Sequence, residues 1–154
     1  MNLTVKRANL ASHKRKCLLL SLFIFIHITC FSIPVDAEIW VVSHAKQSTQ
    51  LNINTIRSIF SLRQKHWPDG QMIELVVMDN NSPLHRQFCL DTLHLFPYQL
   101  SRIWELQIYT GTAIAPTVVN SEQDMLRTLK SNPNAIGYAS QEVNNEALHS
   151  FVVN

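Results

Sequence analysis

The chain has 154 residues with 13 basic and 11 acidic side chains, seven histidines, three cysteines and a formal net charge of +2. That length allows one domain with a modest core. Once the N-terminal segment is set aside, the charge and cysteine counts exclude a basic nucleic-acid binder and an internal disulfide.

Residues 1–37 read as a secretory signal. Five basic residues (Lys6, Arg7, Lys14, Arg15, Lys16) precede an apolar run from Cys17 to Ile33, and Val35-Asp36-Ala37 supplies a small-residue exit, so cleavage is expected after Ala37. The run is interrupted by Ser21, His27, Thr29 and Ser32, and falls short of the ~20 apolar residues of a comfortable membrane span. An uncleaved anchor is the alternative, and it too places the domain outside the cytoplasm. Cys30 lacks the small preceding residue expected of a lipidated cysteine. Cleavage leaves residues 38–154 as the domain. It removes five basic residues and Asp36, so eight basic residues face ten acidic ones and the net charge becomes about −2. No basic stripe remains to neutralise phosphates of a nucleic acid.

In chain order, "EIWVVS" (38–43) and "MIELVVM" (72–78) are compact apolar runs suited to buried strands. Between them Ile53, Ile56, Ile59 and Phe60 recur at helical spacing, and "WPDG" (67–70) is a turn. In "DNNSPLHRQFCLDTL" (79–93), Ser82 caps a helix whose first position is Pro83. "PYQLSRIWELQIY" (97–109) reads as helix turning extended near its end, followed by the loop "TGTAIAP" (110–116). "SEQDMLRTLKS" opens on a Ser121 to Asp124 cap and carries Met125, Leu126 and Leu129 on one side. "NPN" (132–134) stops it, and "AIGYAS" and "SFVVN" read as short strands. Alternating strands and helices imply an α/β fold with a largely parallel or mixed sheet.

The lone mature cysteine, Cys89, follows Phe88 and precedes Leu90, which favours a small core residue over a reactive thiol. Trp67 and Trp104 read as packing residues, His85 as a solvated surface residue, and Tyr138 as cover for the core edge. His44, His66, His85, His94 and His149 include no pair three or four apart on a helix, so no metal site follows from spacing. No Gly-x-Ser-x-Gly or His-Glu-x-x-His occurs, which ranks an enzyme below a binding protein; a Cys89/His pair is the one nucleophile arrangement left open.

The order "IRSIFSLRQKHWPDGQMIELVVMDNNSPLHRQF", then "YTGT", then "NPNAIGYAS" resembles the periplasmic phosphate-binding proteins of ABC transporters. More closely, it resembles a family of short, phosphate-receptor-like periplasmic proteins. The resemblance spans essentially the whole mature chain. It implies a single periplasmic-binding-protein-like lobe, with a mixed, mostly parallel sheet flanked by helices, that recognises phosphate or a related oxyanion without a cofactor. Where this chain has Met78-Asp79-Asn80 and "TGTAIAPTVV", members of the short family often carry arginines.

Taken with the resemblance, the expected anion site is the start of the 83–93 helix. The Ser82 hydroxyl and the first N–H groups point at the ligand, and Arg86 reaches back along the same face. Asp79 accepts a proton from a protonated phosphate or orients Arg86. Thr110, Gly111 and Thr112 form a second loop of donors, and Ser48 and Thr49 a third. A lobe of this size leaves an anion half exposed, so a homodimer or a partner such as a membrane transporter or sensor protein would complete the cleft. A ligand-free interaction or sensory adaptor module on the same fold is the alternative.

Overall fold

The computed structural model describes residues 38–44 and 51–152. The expected signal segment, and with it Ser48 and Thr49, lies outside the described residues. Strand β1 (Trp40–His44) leads to helix α1 (Ile53–Phe60) and strand β2 (Glu74–Met78). Helix α2 (Pro83–Gln87) continues as a π-helical turn (Phe88–Leu93) and is followed by α3 (Pro97–Tyr109) and strand β3 (Thr117–Val119). Helix α4 (Glu122–Ser131) and strands β4 (Ala135–Ala139) and β5 (Leu148–Val152) complete the described chain.

The five strands form one mixed sheet in the order β3-β2-β4-β1-β5. β2 runs parallel to β3 and to β4, whereas β1 is antiparallel to both β4 and β5. The parallel pairs need helical crossovers, which α2, α3 and α4 supply. The chain leaving β4 passes to the far side of β1 to form β5, through a turn at 144–148 where Asn145 Oδ1 accepts from the Ala147 and Leu148 N–H groups.

The core lies on both faces of this sheet. On one face α4 presents Met125 and Leu129, both fully buried, to β4. Gly137 lets α4 approach closely there: a Cβ would lie 2.3 Å from Met125 Sδ and force that side chain to shift. On the other face Tyr138 meets α1 and α2: its ring stacks on Phe88 at 4.2 Å, and Phe88 packs against Phe60 at 4.6 Å. The tryptophans pack as expected from their residue type. Trp67 Nε1 donates to the Asn134 carbonyl and Trp104 Nε1 to the Phe60 carbonyl, so each indole is buried with its N–H satisfied.

Two readings of the sequence need correction. Helix α3 does not become extended near its end; it stays helical to Tyr109. The apolar residues there, Leu106, Ile108 and Tyr109, mimic a strand but are exposed. Thr110 Oγ1 and Thr112 Oγ1 close the last turn by donating to the Leu106 and Gln107 carbonyls, and Gly111 at φ +67° turns the chain away. His85 is not a surface residue. It is fully buried, because His85, Phe88, Cys89 and Thr92 share the inward face of the 83–93 segment.

Candidate functional site

In a sheet with these parallel pairings, the turns leaving β2 (79–82), β3 (120–121) and β4 (140–141) all emerge at one edge. That edge is where ligands bind in open α/β sheets. Two helices start there, α2 at Ser82 and α4 at Ser121.

At the first start, Asp79 and the two asparagines shape the backbone. Asp79 Oδ1 accepts from the Asn81 N–H and from Asn81 Nδ2, and the Asp79 carbonyl accepts from the Ser82 N–H. Ser82 Oγ accepts from His85 N–H at a long 3.4 Å, and its own proton faces only Met78 Sδ at 3.6 Å. Thioether sulfur is a weak acceptor. The hydroxyl therefore keeps a donor that an oxyanion would engage more strongly. Pro83 has no N–H, so Leu84 N–H is the first helical donor left over. Arg86 lies one turn on, exposed, and its guanidinium makes no hydrogen bond or ion pair with any other residue among the described residues.

The second start is already filled. Ser121 Oγ accepts from Asp124 N–H and donates to Asp124 Oδ2, while Glu122 reaches across to Ser140, taking its N–H at 2.9 Å and its hydroxyl at 2.8 Å. Two carboxylates thus occupy the positive end of α4. A carboxylate bound by one backbone N–H and one hydroxyl also shows how this edge holds an oxyanion group.

Beneath the α2 start lies a buried polar relay. Strands β2 and β4 pair only at Glu74 with Ala135 and Leu75 with Ile136. Met78 N–H consequently donates to the Tyr138 hydroxyl at 2.8 Å. The same hydroxyl lies 2.6 Å from His85 Nδ1, and His85 Nε2 lies 3.5 Å from Cys89 Sγ. Since Tyr138 already accepts from Met78, it donates to Nδ1, and the imidazole N–H is left for Nε2. Burial lowers the His85 pKa against an opposing pull from Asp79, raises Tyr138, and pushes the Cys89 thiol up to about 12. The imidazole is neutral and the sulfur a thiol. The pair is closed off in the core, so the core-residue reading of Cys89 holds.

Ser82 and Arg86 stand one helical turn apart, the Ser82 carbonyl accepting from Arg86 N–H at 3.0 Å, and Asp79 lies in the turn before them. Asp79 makes no ion pair with Arg86 among the described residues, so it does not orient the guanidinium. Thr110, Gly111 and Thr112 precede β3, whose start lies at the opposite edge of the sheet, and both threonine hydroxyls are spent on the end of α3. They do not join Ser82. The residues missed from the sequence are Glu122, Ser140, His85 and Tyr138. The inward spacing of His85, Phe88 and Cys89 was the signal for the third of these; the Glu122 to Ser140 pairing joins residues distant in the chain and left none.

No family model and no curated protein matches the sequence. Among solved structures, the chain is similar to a substrate-binding protein of a phosphate ABC transporter from Clostridium perfringens, solved with bound phosphate, at TM-score 0.56 and 16% identity. It is also similar to an ABC-type phosphate transport receptor from Vibrio cholerae, at TM-score 0.53 and 15% identity. The matches cover 75% and 73% of this chain but only 44% of either receptor. The fold is that of one lobe of such a binding protein, and the chain spans less than half of their length.

Proposed function

We propose that the protein is a solute-binding lobe that recognises phosphate or a related tetrahedral oxyanion at the start of α2, and that it is a binding protein, not an enzyme. One observation supports the reading: at the sheet edge where β2 ends, the Ser82 hydroxyl has only long or weak partners and, one helical turn on, the exposed Arg86 guanidinium has none among the described residues. Leu84 N–H and the start of the helix add donors and positive partial charge. The planar guanidinium supplies a fork of donors suited to oxyanion oxygens. A half-site open to water screens the charge, so binding is weak and salt-dependent unless a second copy or a membrane transporter or sensor closes over it. Titration of inorganic phosphate against the full chain, followed by 31P line broadening at low ionic strength, tests this. Broadening should be saturable and should vanish in Ser82→Asp, which puts a carboxylate where the phosphate would sit.

In the same account residues 1–37 are cut away and residues 38–154 act in the periplasm. N-terminal sequencing of the exported protein should begin at Glu38. No helix among the described residues is long and apolar enough to cross a membrane.

A second reading is a ligand-free adaptor on the same fold. It is favoured by Asp79 beside the site and by Glu122 filling the neighbouring helix start. An absence of saturable 31P broadening with phosphate and phosphonates, together with no rise in melting temperature with phosphate, sulfate or phosphonates, would select it.

A further inference from the structure

At the opposite edge of the sheet, a cavity of about 280 Å3 opens between the end of α1, the hairpin around the 67–70 turn and the 111–114 loop. Ile59, Leu62, Ile73 and Leu75 line it, and Met72 and Ile114 stand at its mouth, 49% and 68% exposed. Leu62 takes φ +57°, a left-handed conformation unfavourable to a branched side chain with a Cβ; its N–H is fixed to the Ile59 carbonyl at 2.8 Å. This left-handed residue at C′ ends α1 and turns the chain toward the hairpin.

The polar lining is small and one-signed. Thr112 is occupied with the Gln107 carbonyl and the Gln64 amide with the His66 carbonyl. The Lys65 and His66 side chains make no hydrogen bond or ion pair among the described residues, and no carboxylate lines the cavity. An apolar hollow with a few polar groups at one side is the composition of a small-molecule site, and its volume, just below the usual range of such sites, suits only a small ligand.

We propose that this cavity binds a small amphipathic carboxylate, its apolar part against Ile59, Leu62 and Met72 and its charged end at Lys65. The site is separate from the α2 start and stands whether or not phosphate binds there.

The test uses the full chain and two probes of the same shape, hexanoate and hexan-1-ol, followed by methyl resonances and melting temperature. Hexanoate should shift the Ile59, Ile73, Ile114 and Met72 methyl signals in a saturable way. Lys65→Gln should weaken it by roughly twofold to fivefold, in the range of a partly exposed charge contact. Ile114→Glu, a change at an exposed position, should abolish the shifts by repulsion at the mouth, while Ser82→Asp should leave them unchanged. Absent shifts, equal binding of hexan-1-ol and hexanoate, or loss of binding in Ser82→Asp would each overturn the proposal.

Discussion

Replacing Tyr138 by phenylalanine removes one oxygen and leaves the ring in place. The stack on Phe88 at 4.2 Å is retained, so little packing is lost. Two groups lose their partner: Met78 N–H, at 2.8 Å from the hydroxyl, and His85 Nδ1, at 2.6 Å. Both are buried. A buried polar group stranded in this way costs ~1–3 kcal/mol, so the pair should cost about 2–4 kcal/mol after allowing for relaxation. For a domain of this size that lowers the melting midpoint by on the order of 10 °C. Urea unfolding followed by tryptophan fluorescence reads the change as a shift in midpoint at constant slope. In Tyr138→Phe/His85→Leu the stranded imidazole is gone, so the double variant should lose at least ~1 kcal/mol less than the two single losses combined. A loss in Tyr138→Phe below about 0.5 kcal/mol, the range of an inconsequential substitution, would refute the relay as a structural tie between β2, β4 and α2.

Burial holds the His85 pKa below 6.5 in the fold, so as pH falls the unfolded chain takes the proton first. The stability this represents is fully present above pH 6.5 and is lost as pH drops below it, and His85→Gln should lose less between roughly pH 7 and pH 5 in urea titrations. Gly137→Ala places a methyl 2.3 Å from Met125 Sδ and 3.3 Å from the Val76 carbonyl; it should cost ~1–3 kcal/mol by overpacking, with partial recovery in Gly137→Ala/Met125→Ala. Cys89, with its thiol pushed up to about 12 by burial, should resist thiol reagents in the native protein and react only at the rate of opening measured by unfolding kinetics.

The elements with a period were legible in the sequence. The spacing of Ile56, Ile59 and Phe60 marked α1, and the apolar runs marked β1 and β2, since burial on one stripe or on both faces leaves a pattern. Ser82 and Ser121 marked helix starts because a cap is a local interaction. The last turn of α3 misled because its apolar residues face outward, while the backbone N–H groups of Thr110–Thr112, joined by the Thr110 and Thr112 hydroxyls, close the helix after Tyr109. At the candidate site, the four-residue spacing sets Ser82 and Arg86 one helical turn apart, which is where they lie. The placement of the 110–112 loop could not, because it depends on which edge of the sheet the chain enters β3, a consequence of parallel pairing with β2. Tyr138 and His85 are 53 residues apart, and no local pattern announces a hydrogen bond across that distance.

Calorimetric titration of inorganic phosphate into the wild-type chain and into Arg86→Ala, at matched low ionic strength, tests the central claim most directly. The account predicts saturable binding in the wild type, weakened in Arg86→Ala by ~1.5–3 kcal/mol, the range for a hydrogen bond to a charged group. Unchanged affinity in Arg86→Ala, or no phosphate binding by the wild type, would contradict it.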